Sequence, residues 1–153
     1  MERPQNKLNI ELVPEPLWGK SLAKTLKRSE WDRVRRTVYQ RQGFKCGICG
    51  AEGRLLCHEV WSYDDENHVQ TLVGFKAVCN NCNNCIHMGR AHILSREGKI
   101  NIREVYEHYA RVNELQHWTQ AKIDYNVARL EFIERSKHGW TTVIGDYNAL
   151  LEI

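Results

Sequence analysis

Cys46-Gly47-Ile48-Cys49 and Cys79-Asn80-Asn81-Cys82 are two C-x2-C pairs separated by 29 residues. Each pair can close a tight turn that aims two thiolates at one ion, and two pairs complete the tetrahedral four-sulfur shell that zinc takes in closed structural sites. Gly47 and Gly50 ease the first turn. An ion with four protein ligands has no position left for water or substrate, so it would hold structure and do no chemistry. Cys85 makes a further C-x2-C with Cys82, which leaves a shifted register open.

Between the knuckles, residues 55–61 and 71–78 are β-prone runs among glycines, and a hairpin fits them. Beyond the second knuckle the pattern turns helical from 80 to about 94, and Gly98 closes it. Upstream, a helix is expected from Ser29 to Gly43, with Ser29 as cap and Asp32 completing a capping-box-like pattern. Trp31, Val34, Val38 and Tyr39 form its core stripe, leaving Arg33, Arg35, Arg36 and Arg41 mostly on other faces. Before it, Pro4, Pro14 and Pro16 predict an extended arm, with a short helix from Ser21. Downstream, Ile102, Val105, Tyr106, Tyr109 and Val112 mark one amphipathic helix and Ile123, Val127 and Leu130 a second, both expected to pack within the chain, with a scaffold or dimer surface as the alternative. Residues 139–153 suit a short strand or strap.

The length of 153 residues, 42% hydrophobic and 27% charged, is that of one soluble domain rather than a disordered or fibrous chain. No apolar run reaches a membrane span, and the first ten residues lack a secretory pattern, so a cytoplasmic protein with no membrane partner is expected. In a reducing compartment, paired cysteines at short spacing point to metal rather than disulfides. The net charge of +3 hides an asymmetry: residues 1–56 carry 12 Lys and Arg against 6 Asp and Glu, whereas the remainder carries 10 against 13. A basic front half suits a polyanion. It equally suits a solvated helical face.

A second constellation lies around the knuckles. His58 falls on the strand after the first pair, and Asn83 and His87, four apart, follow the second. On one helix that spacing stacks both side chains on one face, where they could reach a single divalent cation, and Arg90 could meet a phosphate.

The order C-x2-C, strand histidine, C-x2-C, helix Asn/His resembles the HNH, or ββα-metal, nuclease family of the bacterial type with a four-cysteine zinc site. The resemblance covers roughly residues 29–94. It implies a zinc-pinned ββα-metal (treble-clef) core over 29–95; with the periodicity of the rest of the chain, the expected fold is α+β in one domain, with an arm and short helix over 1–28, a basic helix opening the core, and a helical extension with strap over 101–153. It further implies that His58 is the general base and that Asn83 and His87 help hold a catalytic cation, Mg2+ or Mn2+, with Zn2+ or Ni2+ as alternatives. The residue before the strand histidine is usually Asp or His in that family, and here it is Cys57. A thiolate is a poor partner for magnesium and a good one for zinc. Cys57 therefore shifts the metal preference or does not ligate, and Glu59, Asp64 or Asp65 could supply an oxygen in its place.

On this reading the protein is an endonuclease on DNA. Neutral His58 would deprotonate a water aimed at the scissile phosphorus, with Asn67 or backbone fixing its tautomer, and Arg33, Arg36 and Arg90 would hold nucleic acid. A protein partner could supply specificity. The alternative is a non-catalytic treble-clef zinc module that binds nucleic acid or protein. His68, His92, His108, His117 and His138 show no convergent spacing, and the five tryptophans suit core and strap rather than base stacking.

Overall fold

A computed structural model of the chain describes residues 5–152; Pro4, the first proline of the expected arm, lies outside them. The architecture is α+β. Among the described residues it comprises a 3-10 turn at Glu15–Leu17, helices α1 (Leu22–Thr25) and α2 (Arg28–Arg41), strands β1 (Leu55–Asp64) and β2 (Val69–Cys79), helices α3 (Asn80–Ile86), α4 (Met88–Arg96), α5 (Ile102–Val112) and α6 (Thr119–Arg135), strand β3 (Thr141–Val143) and helix α7 (Tyr147–Leu151). No helix among these residues is long and apolar enough to cross a membrane. The chain forms two compact units.

The unit of Val13–Cys79 and the chain from Phe132 onward holds the sheet, in the order β1-β2-β3. β1 and β2 form the expected antiparallel hairpin, and β3 adds to β2 in parallel. Val34 and Val38 of α2 are fully buried with Leu22, Leu72, Phe75, Ala77 and Leu151, while Trp31 and Tyr39 pack against this cluster. The register Val60↔Gly74 then Trp61↔Leu72 leaves Val73 without a partner. This bulge moves the buried face of β2 from Phe75 and Ala77 to Leu72 and Gln70, while Leu55, Cys57 and Trp61 of β1 stay on the core side. Without the extra residue, one end of β2 would present its polar side to the core.

α2 starts before Ser29: the Trp31 amide donates to the Lys27 carbonyl at 3.0 Å and Lys27 is the N-cap, without a side-chain cap bond. Ser29 thus lies inside the helix, and Asp32 accepts from Arg35 at 2.8 Å rather than closing a capping box. Beyond Trp31 and Trp61, Trp18 is exposed, its ring stacked 6.3 Å from Phe132 and its indole N–H donating to the Val13 carbonyl.

The unit of Asn80–Glu131 and the arm up to Leu12 is helical. Leu8 is fully buried, with its amide donating to Asn113 Oδ1 and its carbonyl accepting from Asn113 Nδ2, both at 2.9 Å. This part of the arm is non-helical, with a bend at Lys7–Leu8, and is docked through Leu8, while Pro14 and Pro16 of the expected arm fall at a 3-10 turn, Glu15–Leu17. Val105, Tyr106 and Tyr109 of α5 are buried as expected. α6 differs: Ile123, Val127 and Leu130 are 55%, 53% and 69% exposed. Their helical periodicity is real, but α6 turns its other side inward, where Ala121 is buried and Asp124 accepts from the Tyr109 hydroxyl at 2.6 Å.

Candidate metal centre

The first knuckle follows the end of α2. Gly43 and Phe44 take left-handed φ values of 66° and 60°, with the Phe44 amide donating to the Tyr39 carbonyl, so the chain reverses straight into Cys46. Gln42 then fastens the turn to β2: its amide donates to the Lys45 and Ala77 carbonyls at 3.0 and 2.9 Å, and its carbonyl accepts from the Ala77 amide at 2.8 Å. Gly47 also donates to the Ala77 carbonyl, at 2.8 Å. Gly50, at φ 78°, closes the knuckle by donating to the Cys46 carbonyl. The second pair needs less scaffolding, because Cys79 ends β2 and Cys82 lies in the first turn of α3.

These elements bring Cys46, Cys49, Cys79 and Cys82 together, with all four sulfurs within 4.8 Å of one another and Cys49 and Cys79 3.6 Å apart. Tetrahedral zinc with bonds of about 2.3 Å sets its sulfurs about 3.8 Å from each other, so the donor set fits a structural metal ion such as zinc. The Ile48 and Cys49 amides each lie 3.5 Å from Cys46 Sγ. Burial disfavours the Cys46 thiolate, but amide hydrogen bonds, led by that of Cys49, outweigh it and pull the thiol down to about 7. Cys85 is not part of the cluster; its buried thiol donates to the Val105 carbonyl at 3.4 Å.

His108 joins the centre from α5. Its Nε2 lies 3.2 Å from Cys82 Sγ in a buried contact, and in the tautomer with hydrogen on Nε2 it donates to the sulfur. Spacing alone gave it no ligand partner. The available signal was its position three residues after Val105, on the apolar face of α5. Outer hydrogen bonds of this kind orient ligands and raise metal affinity. His108→Ala is expected to weaken metal binding about 10–100-fold, read by competition with a chromophoric chelator, with His108→Gln recovering part of the loss. Equal affinity in all three proteins would reduce His108 to packing.

The other site residues fall as follows. His58 lies on β1 opposite Lys76, and Cys57 lies opposite Ala77 with its side chain against the apolar core. Neighbouring strand residues face opposite ways, so His58 and Cys57 do not share a face. Burial pushes the Cys57 thiol up to about 12. Glu59 accepts from the Leu22 amide at 2.5 Å, at the start of α1, and burial raises its carboxyl. Asp64 holds the Asn67 amide in the hairpin turn at 2.9 Å, and Asp65 receives both Nε and Nη2 of Arg135 at 2.7 and 2.9 Å. Asn67 therefore serves Asp64.

Asn83 is in α3, but His87 stands at the break between α3 and α4, with φ −97° and ψ 52°. The expected single helix is thus two. The His87 amide still donates to the Asn83 carbonyl at 2.9 Å, so the two residues remain one turn apart. Arg33 is paired with Glu30 and donates to Asn148, Arg36 is exposed on α2, and Arg90 is exposed on α4.

Compared with known proteins, the chain matches no family model, no curated protein and no solved structure.

Proposed function

We propose that the protein is a metal-dependent endonuclease of HNH type, with a treble-clef zinc core and DNA as its substrate. The observation that carries this reading is the placement of His58 on the first strand of a hairpin that links the two cysteine knuckles, opposite Lys76 near the end that leads into α3 and the Asn83–His87 turn. A convergent cysteine cluster supplies the rigid scaffold such a site needs. His58 would take the proton from the attacking water, and Asn83 and His87 would hold the catalytic cation. When bound, that cation polarises the phosphate and stabilises the leaving oxygen. Cys57 does not fit among its ligands, because its thiol is in the core and stays protonated. The same observation supports the second reading, a non-catalytic zinc module that binds nucleic acid or protein.

The two readings separate on supercoiled plasmid incubated with magnesium, manganese, nickel or zinc. Wild type is expected to nick or cut with at least one added ion, and His87→Ala, checked for equal structural metal, to lose that activity. Retained DNA binding with no cleavage under any ion would overturn the nuclease in favour of the module.

A further inference from the structure

The helical unit carries a cationic surface that the spacing of basic residues in the sequence did not reveal. At its centre is His92 of α4, whose Nε2 lies 3.0 Å from the Tyr106 hydroxyl of α5 and whose ring centroid is 4.5 Å from that of Tyr125 on α6. Tyr106 in turn stacks in parallel on Trp118, 6.0 Å away. Around this aromatic cluster stand exposed cations from all three helices. Arg103 of α5 and Lys122 of α6 lie 4.8 and 5.4 Å from the centre of the Trp118 ring. Arg96 follows His92 by one turn of α4, and Lys122 and Arg129 stand one turn either side of Tyr125 on α6, the residue that packs on His92; after burial, these three charges also disfavour the His92 imidazolium.

Like charges gathered on one surface repel unless acids or a bound anion offset them. Arg103 has an acid, Glu107, at 3.1 Å. Arg96, Lys122 and Arg129 form no ion pair among the described residues. Part of Arg96 is explained by its place in the last turn of α4, where a cation meets the negative end of the helix dipole. Lys122 is partly accounted for by the Trp118 ring beneath it, and Arg129 by neither a helix end nor a ring.

We propose that Arg96, Lys122 and Arg129 bind the phosphate backbone of nucleic acid on this α4–α6 face. The span argues for a polymer over a small phosphate: Lys122 and Arg129 are two turns apart on one face of α6, about 10.5 Å at 1.5 Å per residue. Phosphates of one DNA strand repeat about every 3.4 Å along the helix axis, so the pair reaches across about three of them. Trp118 is occupied by Arg103 and Lys122, which leaves it to anchor cations and not to stack bases. The contact is therefore to backbone and independent of sequence. This inference rests on the nucleic-acid reading of the function but not on cleavage.

The test is titration of fluorescent duplexes of two unrelated sequences with wild type and with the combined variant Arg96→Gln, Lys122→Gln, Arg129→Gln, over a range of salt. Matched thermal melts would establish that the variant is folded. The variant is expected to bind both duplexes roughly tenfold or more weakly at moderate salt, with a log–log salt slope shallower by about 2–3, as loss of up to three phosphate contacts requires. Unchanged affinity and slope would overturn the proposal; plasmid cleavage retained by that variant would then leave the nuclease reading standing. Failure of wild type to bind duplex or single-stranded DNA would remove both, and a partner with an acidic protein surface would take their place.

Discussion

Cys82→Ser is expected to purify with little or no zinc and to lose the cooperative unfolding of the wild type. Cys82 is fully buried, shares one cluster with Cys46, Cys49 and Cys79, and has His108 as a fourth neighbour. A serine hydroxyl is a far weaker zinc donor than a thiolate, and the three remaining sulfurs would be left converging without a closed shell. Structural zinc in small cysteine sites carries an apparent binding free energy of about 10–16 kcal/mol, comparable with the whole stability of a domain. Removing it should therefore free the knuckle that ties the end of α2 to β2. Chelation of wild type should lower the melting temperature, with recovery on adding zinc back; Cys82→Ser should show no recovery. Cys57→Ser provides the contrast, since that thiol packs against the core outside the cluster, and it should keep its metal. Stoichiometric zinc and a wild-type melt in Cys82→Ser would remove Cys82 from the ligands of a structural ion.

His58→Ala is expected to slow plasmid cleavage by about 10²–10⁴ at saturating cation, the usual contribution of a positioned general base. Metal content and melting temperature should stay near wild type, because His58 is outside the four-sulfur cluster and on the strand face opposite to that of Cys57. The combination matters: lost cleavage with lost zinc would indicate only a damaged fold. A glutamine at 58 keeps much of the side-chain volume without a base near neutrality and should fail as the alanine does. Cleavage at the wild-type rate by either variant would remove His58 from the chemistry.

The residues that were readable in advance are those whose signal is local. Gly43 as the stop of α2, the hairpin between the knuckles and the buried stripe Val34 and Val38 follow from backbone freedom and periodicity over a few residues. α7 is only five residues long, too short to show a period, and is held by Asp146, which accepts from the Asn148 amide at 3.1 Å. Ser29 misled because a cap pattern cannot report that the preceding turn is already helical. The stripe of α6 misled for a different reason: periodicity says that a helix has an apolar side, but which side is covered depends on what packs beside it, and here the Tyr109 hydroxyl claims Asp124.

The candidate site divides along the same line. Two C-x2-C pairs are a local pattern with few geometric solutions, so chain order was enough to select Cys46, Cys49, Cys79 and Cys82 as one cluster and to set Cys85 in doubt. Residues that act from a distance left no such trace. His108 is 26 positions from Cys82 and reaches it only because α5 packs on α3. His68 and His138 are 70 residues apart, yet their rings stack at 4.1 Å once β3 is laid beside β2. Cys57 was left open as a ligand by its place in the chain and is turned into the core by the pairing of β1 with β2. Chain order could name the thiolates, because two residues of turn determine where each pair aims; strand pairing and helix packing alone settled which histidine, carboxylate or buried thiol stands near which, because those distances are sums over the whole path between them.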